Sequence, residues 1–98
     1  MMTLREIREE LDAVDDAIVE LLVRRFRLLE EVVEAKRREL AAPHDPAREK
    51  AILSRVDEYM RARSVPLQWR ESIVGVLGEV VVRGRRFVEA GLASSSRR

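Results

Sequence analysis

The sequence predicts an all-α domain of three helices per chain, the first very long, with two chains intertwined as a homodimer. Hydrophobic residues make up 46% of the 98 residues and charged residues 38%, a balance typical of helical proteins. One Trp, one Tyr, two Phe, three Pro and four Gly give no indication of a β-sandwich or barrel. Residues 3–40 contain neither proline nor glycine, so a single helix can run through all of them.

The first helix is expected from about Thr3 to about Leu40. Thr3 can cap its start, and Glu6 three residues later completes a capping box. Alternating spacings of four and three residues mark one apolar face of an amphipathic helix. That face carries Leu4, Arg8, Leu11, Asp15, Ile18, Leu22, Arg25, Leu29, Val32 and Lys36.

Three cations, Arg8, Arg25 and Lys36, therefore share the apolar face with one carboxylate, Asp15. An unpaired ion is costly to bury, so the surplus positive charge needs a partner. A small dianion bound inside a helical bundle would supply it. Ion pairing with Asp15 is the simpler structural alternative.

A break at residues 41–46 separates the first helix from the second. Asp45 followed by Pro46 is typical of an N-cap and a first helical position. The second helix carries Ile52, Val56, Tyr59 and Met60 on one face and is expected to end near Ser64.

The third helix is expected from about Leu67 to Ala90, with Gly91 as its stop. We predict a domain of residues 1–92 and a disordered tail of residues 93–98. The three glycines inside this helix each cost about 1 kcal/mol relative to alanine. Residues 80–82 alone could form a strand, but the helical spacing of the apolar residues and the absence of a partner strand favour a helix. Its apolar side comprises Trp69, expected in the core, with Ile73, Val76, Leu77, Val80, Val81 and Phe87.

The length of the first helix predicts the assembly. About 37 residues span about 55 Å, whereas a compact chain of this size has a radius of gyration of about 13 Å. A second copy must cover the excess, most simply in a two-fold dimer. Because Arg8 lies about 25 Å along the helix from Arg25, it can join the same site only from the partner's antiparallel helix. We expect two sites per dimer, each built from both chains.

Composition excludes several classes of function. With 19 basic and 18 acidic side chains, the chain lacks the excess positive charge of a nucleic-acid binder. It has no cysteine and only one histidine, His44, expected to be a solvated loop residue, so we predict no metal and no cofactor. No apolar run approaches the length of a membrane span and no signal peptide is visible, which predicts a cytoplasmic location.

These residues, taken together, resemble those of a known family, the all-helical chorismate mutases. The matching segments are Ile7 to Asp15, Arg24-Arg25, Lys36 and Asp45 to Glu49, and the resemblance covers about 90 residues. It implies that Arg8, reaching across from the partner, and Arg25 bind the two carboxylates of chorismate. Lys36 would donate to the ether oxygen of the breaking bond and Glu49 would bind the ring hydroxyl. Asp45 and Arg48 match positions that line and order the site.

The implied reaction is the rearrangement of chorismate to prephenate, on the route to phenylalanine and tyrosine. A concerted Claisen-type rearrangement needs no nucleophile and no proton transfer. It is accelerated by holding the flexible substrate in its compact conformer and by fixed positive charge at the ether oxygen.

The third helix departs from the family pattern, in which a small hydroxyl residue precedes a glutamine or glutamate donor by four positions. Alignment by the apolar residues of the helix puts Gly84 and Val88 at these two family positions. Shifting the alignment by one residue gives Arg85 and Glu89 in one direction, and Val81 and Arg85 in the other. Of these residues, Glu89 could donate as it stands if it were protonated. The cluster of Arg83, Arg85 and Arg86 is expected to be a solvated helix face.

This departure keeps alternatives open. The chain could be a mutase completed by an activating partner enzyme, or a mutase or lyase acting on 4-amino-4-deoxychorismate or isochorismate. It could also be a non-catalytic helical dimerisation or regulatory domain.

Overall fold

Three α-helices form the chain in the computed structural model, which describes residues 1–95. They are α1 (Leu4–Glu39), α2 (Pro46–Ala62) and α3 (Leu67–Ser95). The described residues contain no strand, so the all-α prediction is confirmed, including the helical state of residues 80–82.

Side-chain caps fix the starts of the first two helices as the sequence predicts. The Thr3 hydroxyl accepts a hydrogen bond from the backbone N–H of Glu6 at 3.2 Å. The Asp45 carboxylate accepts from the backbone N–H of Arg48 at 3.0 Å, and Pro46 follows as the first residue of α2. Each cap satisfies an N–H group that has no partner within its own helix.

α1 ends at a residue with left-handed backbone geometry. Leu40 has φ 52° and ψ 37°, and the backbone N–H groups of Leu40 and Ala41 both donate to the carbonyl of Lys36. This geometry usually favours glycine, and it turns the chain sharply towards α2.

Gly91 does not end the third helix, and that prediction is wrong. α3 continues through it to Ser95, and no glycine of the described chain has a positive φ. Gly91 instead lies where α1 packs closely on α3: a Cβ there would lie 3.0 Å from Cγ2 of Val33. Its carbonyl accepts a hydrogen bond from Nη2 of Arg37 at 2.9 Å. Residues 93–95 of the predicted tail are thus helical, and 96–98 lie outside the described residues.

α3 is the central helix of the protomer and packs against both α1 and α2. Four side chains form the buried core: Val33 of α1, Met60 of α2, and Val81 and Val88 of α3. Phe26 and Phe87 meet edge to face across α1 and α3, with ring centroids 5.3 Å apart. Within the described chain α1 and α2 do not pack on each other, which leaves a space between them above α3.

The protomer is elongated, and about half of α1 has nothing packed on it. The molecule measures 59 × 27 × 15 Å with a radius of gyration of 17.2 Å, and every residue from 4 to 21 is exposed. Trp69 is 60% exposed, so its predicted place in the core is wrong for the protomer. It lies at the start of α3, beyond the part of that helix which carries the core residues Val81 and Val88.

Candidate functional site

A cavity of about 300 Å³ lies between the three helices, at the lower end of the size range of small-molecule sites. Its walls come from the C-terminal half of α1, the loop that follows it, the start of α2 and the C-terminal half of α3. The lining residues are Arg25, Leu29, Val32, Lys36, Pro43, His44, Asp45, Arg48, Glu49, Ile52, Val81, Gly84, Arg85 and Val88.

Five of the six predicted site residues line this one cavity: Arg25, Lys36, Asp45, Arg48 and Glu49. The helices explain the convergence. Arg25 and Lys36 lie on the same face of α1, and the N-cap motif of α2 delivers the other three within five residues. Arg8 is not among the lining residues. It lies in the exposed half of α1, about 25 Å from Arg25 along the helix.

The Arg25 guanidinium is partly buried and incompletely paired. Its Nη1 atom is shielded from solvent and has no hydrogen-bond partner within residues 1–95. Burial lowers the pKa of Arg25 below its ordinary value, and the positive charge of Arg48 lowers it further. Both effects act against the charged form. A bound anion would offset both effects by stabilising the charged form, so Arg25 is electrostatically prepared for an anionic ligand.

Lys36 is held at the other end of the cavity by the loop after α1. Its ammonium donates to the backbone carbonyls of Ala42 and Pro43 at 2.8 and 2.9 Å. A lysine ammonium has three donors, so one remains for a ligand. The two carbonyls therefore fix the position of the cation without using its full capacity.

The two carboxylates of the site have different local partners. Asp45 caps α2, as described above. Glu49 is the more buried, with its side chain 21% exposed, and its Oε2 lies 2.9 Å from Nε2 of His44 and 3.3 Å from Nη1 of Arg85. Glu49 is thus a hydrogen-bond acceptor whose position is set from the loop and from α3.

Two polar residues of the site were missed by the sequence reasoning. His44 is exposed, as expected of a loop residue, but it contacts Glu49 and lines the cavity. Arg85 was expected in a solvated arginine cluster, although both shifted alignments also put it at a family position. It lines the cavity and pairs with Glu49. The signal for Arg85 was present in the sequence, because it lies four residues after Val81 and three before Val88, on the same face of the helix.

Along α3 the cavity wall is formed by Val81, Gly84, Arg85 and Val88. Gly84 with Val88 and Val81 with Arg85 belong to two different alignments of α3 with the family pattern, so residues from both alignments share the wall. Val88 is 4% exposed and offers methyl groups alone, whereas Glu89 does not line the cavity.

The lining residues carry four cationic side chains, Arg25, Lys36, Arg48 and Arg85, and two carboxylates, Asp45 and Glu49. The surplus of two positive charges matches a dianion. The residues supply fixed charge and hydrogen bonds rather than a nucleophile paired with a base. Such a site can bind, orient and electrostatically stabilise a small anionic reactant.

Fold and site together define a small all-α protein with a cavity whose lining carries a surplus of two positive charges. The comparison with family models identifies the family: the chain belongs to chorismate mutase type II, matched over residues 7–83, more than three quarters of its length. Neither the curated proteins nor the solved structures include a significant match to the chain. No helix within residues 1–95 has the length and apolar character required to cross a membrane.

Proposed function

We propose that this protein rearranges chorismate to prephenate without a cofactor, by a concerted Claisen-type reaction. The observation that carries the proposal is Arg25, a cation with a shielded, unpaired Nη1 atom beside a cavity with two surplus positive charges. Chorismate carries two carboxylates, which match that surplus. Membership of the chorismate mutase type II family supports the same reaction class.

In this proposal each polar group has a distinct task. Arg25 binds one substrate carboxylate, and Lys36 directs its remaining donor at the ether oxygen, where negative charge grows as the C–O bond breaks. Glu49 accepts a hydrogen bond from the ring hydroxyl, while Arg48 and Asp45 complete the wall. The rate gain comes from holding the reactive conformer and from charge placed in advance of the transition state.

The same proposal includes a homodimer in which Arg8 completes the partner's site. An uncovered apolar face on α1 supports it: Leu11 is 54% exposed and Ile18 50% exposed. Trp69 and Ile73 of α3 are also exposed, by 60% and 38%. Burying such an apolar surface is strongly favourable, and a second copy of the chain presents the same apolar face for it to pack against. An antiparallel second α1 would bring its Arg8 towards this cavity.

Loss of chorismate absorbance on adding purified protein tests the reaction, with prephenate identified by its conversion to phenylpyruvate in acid. Arg25→Ala should reduce turnover by at least about 100-fold, as expected when a preorganised charge is removed. Arg27→Ala is the matched control, because Arg27 is an exposed arginine on the same helix and does not line the cavity.

Turnover in the wild type that disappears with Arg25→Ala and persists with Arg27→Ala would support the proposal. Absence of turnover in the wild type would overturn it. Assays with 4-amino-4-deoxychorismate and isochorismate would then separate an altered substrate from a non-catalytic dimerisation domain.

A further inference from the structure

Arg85 is the single charged residue that α3 contributes to the described cavity wall. It lies two residues beyond the segment that matches the family, 7–83. Its side chain is 30% exposed, which leaves it open to the cavity.

The Arg85 guanidinium is held in place at the wall by hydrogen bonds to the carboxylate of Glu49. Nη1 lies 3.3 and 3.4 Å from the two oxygens of Glu49 and 3.4 Å from Nε2 of His44. Nε lies 3.8 Å from the carboxylate of Glu89. Nη2 makes no hydrogen bond within residues 1–95, so donors remain for a ligand.

The structure of chorismate, the proposed substrate, indicates which of its atoms a donor at this position would contact. In chorismate the ring hydroxyl and the ether oxygen are attached to neighbouring carbons. If Glu49 binds the hydroxyl, as the proposed function requires, a donor 3.3 Å from the Glu49 carboxylate lies within reach of the ether oxygen.

We propose that Arg85 is a catalytic residue which donates to the substrate's ether oxygen from α3, opposite Lys36. This inference rests on the proposed function and extends it. The C–O bond breaks while a C–C bond forms, and the electron pairs move within one six-atom ring without proton transfer. The guanidinium stabilises the negative charge that grows on the oxygen, and it remains charged throughout the working pH range.

The alternative donors on α3 do not fit as well. Val88 has no polar side-chain atom, and Glu89 does not line the cavity. Glu89 would also have to carry a proton in order to donate, because an ionised carboxylate can only accept. Arg85 donates in its ordinary charged form.

The experiment compares chorismate turnover by the wild type, Arg85→Ala, Arg85→Gln, Glu89→Gln and Arg86→Ala in the full chain. Arg86 is an exposed neighbouring arginine outside the cavity and serves as the matched control. We expect Arg85→Ala to lower kcat by about 100- to 1,000-fold and Arg85→Gln, which keeps a neutral donor, to lower it less. Glu89→Gln and Arg86→Ala should stay within a few-fold of the wild type.

Chemical rescue separates a direct role from a structural one. Guanidinium chloride, at concentrations far below those that unfold proteins, should restore part of the Arg85→Ala activity, whereas sodium chloride at equal ionic strength should not. Circular dichroism identifies any variant that fails to fold, and Arg85→Gln then provides the test.

Each remaining outcome counts against the inference. Wild-type turnover with full activity in Arg85→Ala would overturn the role of Arg85 and leave the proposed function standing. An activity loss that guanidinium does not restore would make Arg85 a positioning residue for Glu49. A wild type without turnover would overturn the proposed function and this inference together.

Discussion

At the scale of single residues, Gly84 of α3 determines where the Arg25 guanidinium of α1 can lie. A Cβ atom at position 84 would lie 2.7 Å from Nη1 of Arg25 and 3.0 Å from Cδ1 of Leu29. Both distances are below ordinary van der Waals contact, so an alanine would displace the flexible guanidinium. The glycine that costs helix stability therefore creates the space in which the proposed substrate-binding cation lies.

We expect Gly84→Ala to lower kcat/KM by about 10- to 100-fold, because a displacement of about 1 Å in a positioning group is enough for such a loss. Stability should change little, since the gain of about 1 kcal/mol in helix propensity offsets the strained contact. Steady-state kinetics and thermal unfolding check both parts.

Gly91→Ala provides the contrast, because its Cβ would meet the buried Val33 rather than Arg25. It should lower the unfolding temperature while leaving the folded protein's kcat/KM near that of the wild type. Equal kinetic losses in the two variants would show that Gly84 acts through helix packing alone.

Local chemistry also decides which site residues the sequence could identify. Asp45, Arg48 and Glu49 were predicted from the family resemblance, and the N-cap motif fixes their spacing on the first turn of α2. The cavity role of His44 depends on the contact of its loop with Arg85 of α3, which lies 41 residues further along the chain. No periodicity within one helix contains that information.

At the scale of whole elements, the C-terminus of α1 connects helix geometry to the site. The carbonyl of Lys36 accepts the capping N–H bonds, and its ammonium binds the carbonyls of Ala42 and Pro43. The loop is thus tied to the residue that the proposed reaction uses. The sequence predicted the end of α1 correctly, but not its left-handed geometry, since Leu40 lacks the conformational freedom of glycine.

Leu40→Gly should raise the free energy of unfolding by about 1 kcal/mol, because the left-handed conformation is strained for leucine and open to glycine. The side chain is 92% exposed, so little packing is lost. Urea unfolding at a fixed protein concentration measures the change. Leu40→Ala retains the Cβ and should give no such gain; an equal gain in both variants would place the effect in the lost side chain.

At the scale of the whole molecule, the contacts within one chain do not explain why half of α1 is left uncovered. The 36-residue helix extends about 54 Å, close to the full 59 Å length of the protomer. Its length was predictable because no helix breaker interrupts residues 3–40. The exposure of Trp69 was not, since helical periodicity identifies an apolar face without identifying the chain that covers it.

The proposed dimer predicts complementation between two inactive variants, Arg8→Ala and Arg25→Ala. In a mixed dimer one site has lost both arginines, while the other combines Arg25 of one chain with Arg8 of its partner and is intact. Random mixing makes about half of the dimers mixed, so activity should recover to about one quarter of the wild-type value. Refolding the two variants together, followed by the chorismate assay, measures the recovery, and each variant refolded alone is the control.

No recovery, in mixtures where mixed dimers are detected by a mass tag, would mean that Arg8 and Arg25 act within one chain or not in the same site. Recovery to one quarter would establish that the long helix carries Arg8 to the partner's cavity.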